Sequence, residues 1–136
     1  MSNYVVKTKV AKYEIDISFD TTVSALVDNS GTGKTFLFTL LSAYNEKRGV
    51  KTFFCNSLLA DKPKDILLEL CKSSDLILLD NADLYLDNDF LEEVKSLGKQ
   101  TIISIKNTHS LNMRGIGVYC LTYKDSTIKS RKLSRR

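Results

Sequence analysis

The stretch Val27-Asp28-Asn29-Ser30-Gly31-Thr32-Gly33-Lys34-Thr35 joins a short apolar run to a long one, and its reading decides the fold. Before it, Thr22 to Val27 (TVSALV) has the near-continuous apolar character of a strand buried on both faces. After it, Lys34 to Lys47 is apolar on nearly every side and is followed by Gly49, which predicts a buried helix with a glycine stop. A loop of this composition between a strand and a helix is suited to holding an anion. Gly31 and Gly33 supply permissive backbone, Lys34 an amine, Thr35 a hydroxyl for magnesium, and the helix start a partial positive charge. Nucleotide binding is expected from Asn29, Ser30, Gly31, Thr32, Gly33, Lys34, Thr35 and Phe36, with Lys34 and the amides of residues 31–35 on the phosphates.

Working outward, Val6/Thr8/Val10 and Tyr13/Ile15/Ile17/Phe19 alternate with polar residues, the pattern of half-buried strands forming an antiparallel pair or one long bent strand. Lys51 to Cys55 (KTFFC) predicts a buried strand, and a helix from about Pro63 places Leu67, Leu70 and Cys71 on one face. Leu76-Ile77-Leu78-Leu79 is a further strand, ending in Asp80. Asn88 or Asp89 is expected to cap a helix whose stripe is Phe90, Leu91, Val94 and Leu97, with Gly98 as its stop. Gln100 to Ile105 and Gly117 to Thr122 complete the set, and residues 123–128 suggest a turn into a weak last strand. Strands alternating with helices imply parallel β-α-β units, whose ligands bind beyond the carboxyl ends of the strands.

At 136 residues with 43% hydrophobic and 26% charged composition, the chain suits one domain, residues 1–136. At this size roughly two-thirds of the unfolded surface can be buried without disulfides. Cys55, Cys71 and Cys120 stand at wide spacings with only His109 beside them, so reduced, buried thiols are expected and a zinc site is not. No apolar run approaches the ~20 residues that span a bilayer, and the first residues lack a signal peptide's apolar core, so the expected location is the cytoplasm, with no membrane contact. Residues 124–136 concentrate Lys124, Lys129, Arg131, Lys132, Arg135 and Arg136 against Asp125 alone, a basic C-terminal tail able to meet nucleic acid or an acidic partner.

On these residues the chain resembles the P-loop NTPases, whose motif is G-x-x-x-x-G-K-[ST], and within them the RecA/AAA/ABC-like division. It departs from the motif at the first position, where Asp28 stands in place of Gly and makes the Walker A sequence degenerate. Leu76 to Asp80 looks like the Walker B strand, 46 residues after Lys34. The resemblance implies a three-layer α/β fold with a mainly parallel central sheet of order 5-1-4-3-2, plus N-terminal antiparallel strands. It further implies ATP and Mg2+ as ligands, with Thr35 and Asp80 holding the metal. Where many such ATPases have a catalytic Glu this chain has Asn81, which can orient water but not accept its proton. Asp83 is the nearest replacement, and Asn107, after the next strand, stands at the place of a sensor residue. His109 is an alternative sensor, and Arg114 a candidate finger reaching a neighbouring subunit.

The expectation is a minimal magnesium-ATP binding domain with slow hydrolysis, or hydrolysis that depends on a protein partner or a second copy of the chain. Two alternatives stand beside it: a nucleotide switch that does not hydrolyse, and a nucleic-acid or partner-binding module that has lost its nucleotide.

Overall fold

The structure is a computed structural model and describes residues 4–27, 33–56, 61–106 and 111–133. The strands are β1 (Tyr4–Val10), β2 (Tyr13–Phe19), β3 (Val23–Val27), β4 (Thr52–Cys55), β5 (Leu76–Leu79), β6 (Gln100–Ile105), β7 (Gly117–Lys124) and β8 (Thr127–Lys132). Three α-helices lie among the described residues: α1 (Lys34–Lys47), α2 (Lys64–Lys72) and α3 (Asn88–Ser96). A 3₁₀ turn, Ala82–Leu84, follows β5.

All eight strands form one sheet in the order β1-β2-β8-β7-β3-β6-β5-β4. The expected sheet, mainly parallel with order 5-1-4-3-2 and antiparallel strands apart from it, is therefore corrected to a single mixed sheet. The pairs β1–β2 and β7–β8 are antiparallel, and β2–β8, β3–β7, β3–β6, β5–β6 and β4–β5 are parallel. The cause is the turn at Asp125 and Ser126, whose φ values of 53° and 61° match the tight two-residue hairpin that folds β8 back along β7. The far edge of β8 then accepts β2 in parallel, Glu14 opposite Thr127 and Asp16 opposite Lys129, which draws the N-terminal hairpin into the sheet. Thus residues 127–132 of the basic segment form a strand, with Ile128 turned inward and buried.

Period-two alternation assigns each face of the sheet to its helices. Val23, Ala25, Ile77, Leu79, Ile103 and Ile105 face α2 and α3, packing with Leu67, Cys71, Phe90, Leu91 and Val94. Leu26, Leu76, Leu78 and Ile102 face α1 and pack with its Leu37, Phe38, Leu40 and Leu41. The α1 layer continues over Ile15, Ile17, Phe19, Tyr119, Leu121 and Ile128, so the helix covers the junction between the parallel strands and the hairpins. The α3 cap is Asp87, whose carboxylate accepts the Phe90 N–H at 2.8 Å, one residue before the expected Asn88 or Asp89. Lys64 pairs with the other carboxylate oxygen of Asp87, tying α2 to α3.

At the opposite end of the sheet from the loop after β3, Asp20 binds the hairpins together. Lys132 Nζ reaches its two carboxylate oxygens at 2.9 and 2.8 Å, and the Tyr119 hydroxyl donates to the first of them. The Lys132 ammonium, followed by the Tyr119 hydroxyl, holds the Asp20 carboxyl below its ordinary range. Such a group stabilises the fold above the ordinary carboxylate pKa, and the stabilisation is lost as pH falls through the depressed folded value. The Asp20→Asn variant should therefore be less stable than the natural chain at neutral pH, with the difference shrinking in acid; urea midpoints at both conditions check this.

Gly117 opens β7 beneath the Thr21 side chain, where an added Cβ stands 2.6 Å from Thr21 Oγ1 and 2.9 Å from Tyr119 Cε1. Thr21 Oγ1 cannot easily withdraw, because it accepts the Gly117 N–H at 3.2 Å and shares a hydrogen bond with Ser24 Oγ at 2.7 Å. Gly117→Ala should destabilise the fold by about 1–3 kcal/mol, read from the urea midpoint, as overpacking in a close contact does.

Candidate functional site

The site forms where β3, β5 and β6 end. Gly33, at φ 84°, ψ 22°, takes the left-handed conformation that a glycine adopts without strain, and its carbonyl accepts the first helical bond from Leu37 N at 2.8 Å. The helix therefore starts at Lys34, with Thr35 on its first turn. The amides of a helix's first turn have no acceptor within the helix and are directed out of its end.

Parity brings the acid to that end. Asp80 continues the Leu76 and Leu78 face of β5, the face that α1 covers, and Ser104 continues the Ile102 face of β6 beside it. Thr35 Oγ1 donates to Asp80 Oδ2 at 2.8 Å, and Ser104 Oγ donates to Asp80 Oδ1 at 2.7 Å. Ser104 Oγ in turn accepts the Asn81 N–H at 2.8 Å. Asp80 is only 3% exposed, so these partners offset the loss of water that a buried carboxylate suffers. Its own backbone is fixed as well, by Asp80 N to Cys55 O at 2.9 Å and by the Tyr85 hydroxyl to Asp80 O at 3.0 Å. The carboxylate thus has both oxygens oriented before any ligand arrives.

The neighbouring residues take different parts. Asn81 has φ 51° and ψ 47°, a left-handed conformation that Asn tolerates better than most residues, and it turns the chain out of β5 into the 3₁₀ turn. Asp83 Oδ2 accepts the Lys106 N–H at 3.0 Å, fastening that turn to the end of β6. Phe36 is exposed and meets the edge of the Tyr13 ring, with centroids 4.8 Å apart. Arg114 lies at the other end of the sheet, where its carbonyl accepts from Lys95 Nζ in the last turn of α3 at 3.1 Å. Asn29, Ser30, Gly31, Thr32 and Asn107, with Asp28 and His109, lie outside the described residues. Among the residues named from the sequence, the structure brings Gly33, Lys34, Thr35, Asp80, Asn81 and Asp83 to one corner.

Ser104 was missed by sequence reasoning, because it sits inside the apolar run Ile102-Ile103-Ser104-Ile105. Its signal was parity: a polar residue on the same sheet face as Asp80, one strand away. Among the described residues no group of three or more His, Cys, Asp and Glu side chains could hold a metal by itself. One carboxylate and one hydroxyl do suit magnesium, which keeps several waters and shares its remaining positions with substrate phosphates. Behind the site, burial is the main cause that pushes the Cys71 thiol up to about 12 and raises the Cys55 thiol, so both stay protonated and unreactive.

No model of a known protein family matches the chain, and no curated protein matches it either. Solved structures do resemble it. A replication initiator DnaA bound to AMPPCP and single-stranded DNA superposes with a TM-score of 0.53 at 18% identity, covering 70% of this chain and 38% of that one. A DNA replication initiation factor gives a TM-score of 0.55 at 19% identity, covering 77% of this chain and 41% of that one. AMPPCP-bound DnaA from Aquifex aeolicus gives 0.48 at 22% identity over 62% of this chain and 32% of that one. The chain spans about two-fifths of the length of the first two structures. The first two likenesses concern the fold alone: over the covered part the chain shares the fold of these two structures.

Ser104→Ala removes one donor to the buried Asp80 carboxylate and the acceptor of the Asn81 amide. The variant should lose about 1–3 kcal/mol of stability in urea unfolding, the usual consequence of leaving buried polar groups unpaired.

Proposed function

We propose that residues 1–136 form one nucleotide-binding domain, acting in the cytoplasm, that holds magnesium-ATP at the start of α1 and hydrolyses it slowly or with the help of a partner. The observation that carries this reading is the Thr35–Asp80 hydrogen bond. A hydroxyl on the first turn of a helix, directed at a buried acid across the sheet, is suited to a magnesium ion shared between the threonine, the acid and an incoming phosphate. Lys34 and the amides of residues 31–35 supply the phosphate contacts in this reading, and Phe36 lies at the edge of the ligand. A structurally similar replication initiator DnaA was bound to AMPPCP, which supports a nucleotide as the ligand class. Asp28, in the place of the motif's first glycine, brings a negative charge toward the polyphosphate and lowers affinity.

Slow hydrolysis follows from the residues available for water. Asn81 has no basic group and holds a left-handed backbone; Asp83 carries a carboxylate but uses one oxygen on Lys106 N. General-base assistance typically contributes ~10² to 10⁴-fold, so a site without it binds far better than it turns over. Asp83 and Asn107 are the water-positioning residues of this reading, and a protein partner or second copy supplies the missing group. The non-hydrolysing switch is the second reading, favoured by the backbone at Asn81. A nucleic-acid partner is proposed through the basic segment 124–136, where Lys129 and Arg131 of β8 are exposed.

Calorimetry with magnesium-ATP tests the assignment. Lys34→Ala should weaken binding at least about tenfold, because it removes a charge-assisted contact to the ligand. Unchanged affinity would remove the nucleotide reading. Single-turnover assays on the natural chain should then give hydrolysis far slower than binding, and fast turnover abolished by Asp83→Asn would make Asp83 the base.

A further inference from the structure

Three aromatic side chains gather at the end of the sheet that carries the α1 start. Tyr13 opens β2, Tyr123 lies near the end of β7, and Phe36 sits on the first turn of α1, one residue after Thr35. The Tyr13 and Phe36 rings meet edge to face at 82°, and the Tyr13 and Tyr123 rings lie 6.2 Å apart. Lys12 Nζ stands 5.5 Å from the centre of the Tyr13 ring. Tyr123 is 53% exposed and Phe36 38%, so two of the three rings present much of their surface to solvent. Exposed rings gathered side by side, unlike apolar residues exposed singly, offer a stacking surface.

Its position is set by strand order. Asp80 fixes the metal end of the site on β5, and β5 lies to one side of β3, beyond β6. The cluster lies to the other side, across β7, β8 and β2. The two tight turns that border it, at Ala11-Lys12 and at Asp125-Ser126, stand at the same end as the carboxyl terminus of β3, because β7 runs parallel to β3 and β8 turns back from it. A nucleotide laid across the start of α1 with its terminal phosphates toward Asp80 therefore carries its base toward Phe36 and Tyr123.

We infer that Tyr13, Phe36 and Tyr123 form the nucleobase site of this protein, a purine stacking on the exposed rings of Phe36 and Tyr123 while Tyr13 and Lys12 hold those rings in place. This rests on the proposed binding of a nucleoside triphosphate and adds to it the recognition of the base. Stacking accepts any π-face, so the site distinguishes nucleotides from bare polyphosphate more strongly than one purine from another.

The test compares magnesium-ATP with magnesium tripolyphosphate, which has the phosphates and no base. The chain has no Trp and six Tyr, so its intrinsic emission reports on tyrosine alone. ATP should quench that emission and tripolyphosphate should not. Tyr123→Ala should weaken ATP binding by about 5- to 50-fold, the usual loss for one base-stacking ring, and leave tripolyphosphate binding unchanged. Lys34→Ala should weaken both ligands. The Tyr13→Phe/Tyr123→Phe double variant keeps the rings, so it should keep the affinity for ATP and lose most of the quenching. ATP affinity unchanged in both Tyr123→Ala and Phe36→Ala, with Lys34→Ala still defective, overturns the base site and leaves the phosphate site standing. No binding of either ligand to the natural chain overturns both.

Discussion

A carboxylate buried at the end of a strand must be paired or it opposes folding, and much of this molecule is arranged around that requirement at Asp80. Its two oxygens take hydroxyl hydrogens from opposite sides, Thr35 on α1 and Ser104 on β6. Its N–H and C=O are held by β4 and by Tyr85. One residue thereby links three strands, a helix and the turn that leaves β5. The start of α1 is placed against the sheet by a polar contact as well as by the Leu37, Phe38 and Leu41 packing, and that contact fixes the direction in which the helix end is aimed. The same bonds that make the acid tolerable in the interior make it ready to accept a cation: its lone pairs are already turned toward the place where the helix begins.

The local elements could be read from composition. TVSALV, KTFFC, LILL and QTIISI are apolar runs with no room for helical periodicity, and the stretch from Lys34 to Lys47 is too long and too apolar for anything but a buried helix. Asp80 could be singled out only together with the loop after β3, because an acid that ends an apolar strand is common by itself. The whole sheet could not be read. Whether β8 pairs with β7 alone or also with β2 depends on contacts between segments more than a hundred residues apart, and amphipathic strands carry no label for their partners. Six bases in thirteen residues read as a basic tail after a weak last strand, yet Thr127–Lys132 form a strand paired on both edges, with Ile128 buried on its inward side.

The site was legible in the same uneven way. Thr35 and Asp80, named from separate stretches of sequence, lie in hydrogen-bond contact, a tertiary contact made where α1 packs over the end of β5. Ser104 was invisible because serine within an apolar run usually marks nothing. Asn81, read as a substitute for a catalytic acid, also has a backbone reason for its identity, a left-handed turn that side chains branched at Cβ strongly avoid. The expected cap of α3 fell one residue late because Asp87, Asn88 and Asp89 are all competent caps, and the choice among them was made by where Phe90 had to point to reach the core.

The parallel pairing of β2 with β8 also bears on how the chain is made. Glu14, Ile15 and Asp16 find their partners at Thr127, Ile128 and Lys129, and Ser18 N reaches Ser130 Oγ, 112 positions further along the chain, at 2.8 Å. As the polypeptide leaves the ribosome, the hairpin of β1 and β2 emerges long before β8; its apolar side, Val6, Ile15 and Ile17, can meet α1 early, but the edge of β2 has no partner strand until residues 127–132 have been synthesised. Pairings at such separation close slowly, and a hairpin with an unpaired edge is open to adventitious association in the meantime. Lys7 and Lys9 on the outer strand then have a use during synthesis: charges along an unpaired edge discourage the nascent hairpin from joining another chain while it waits for β8.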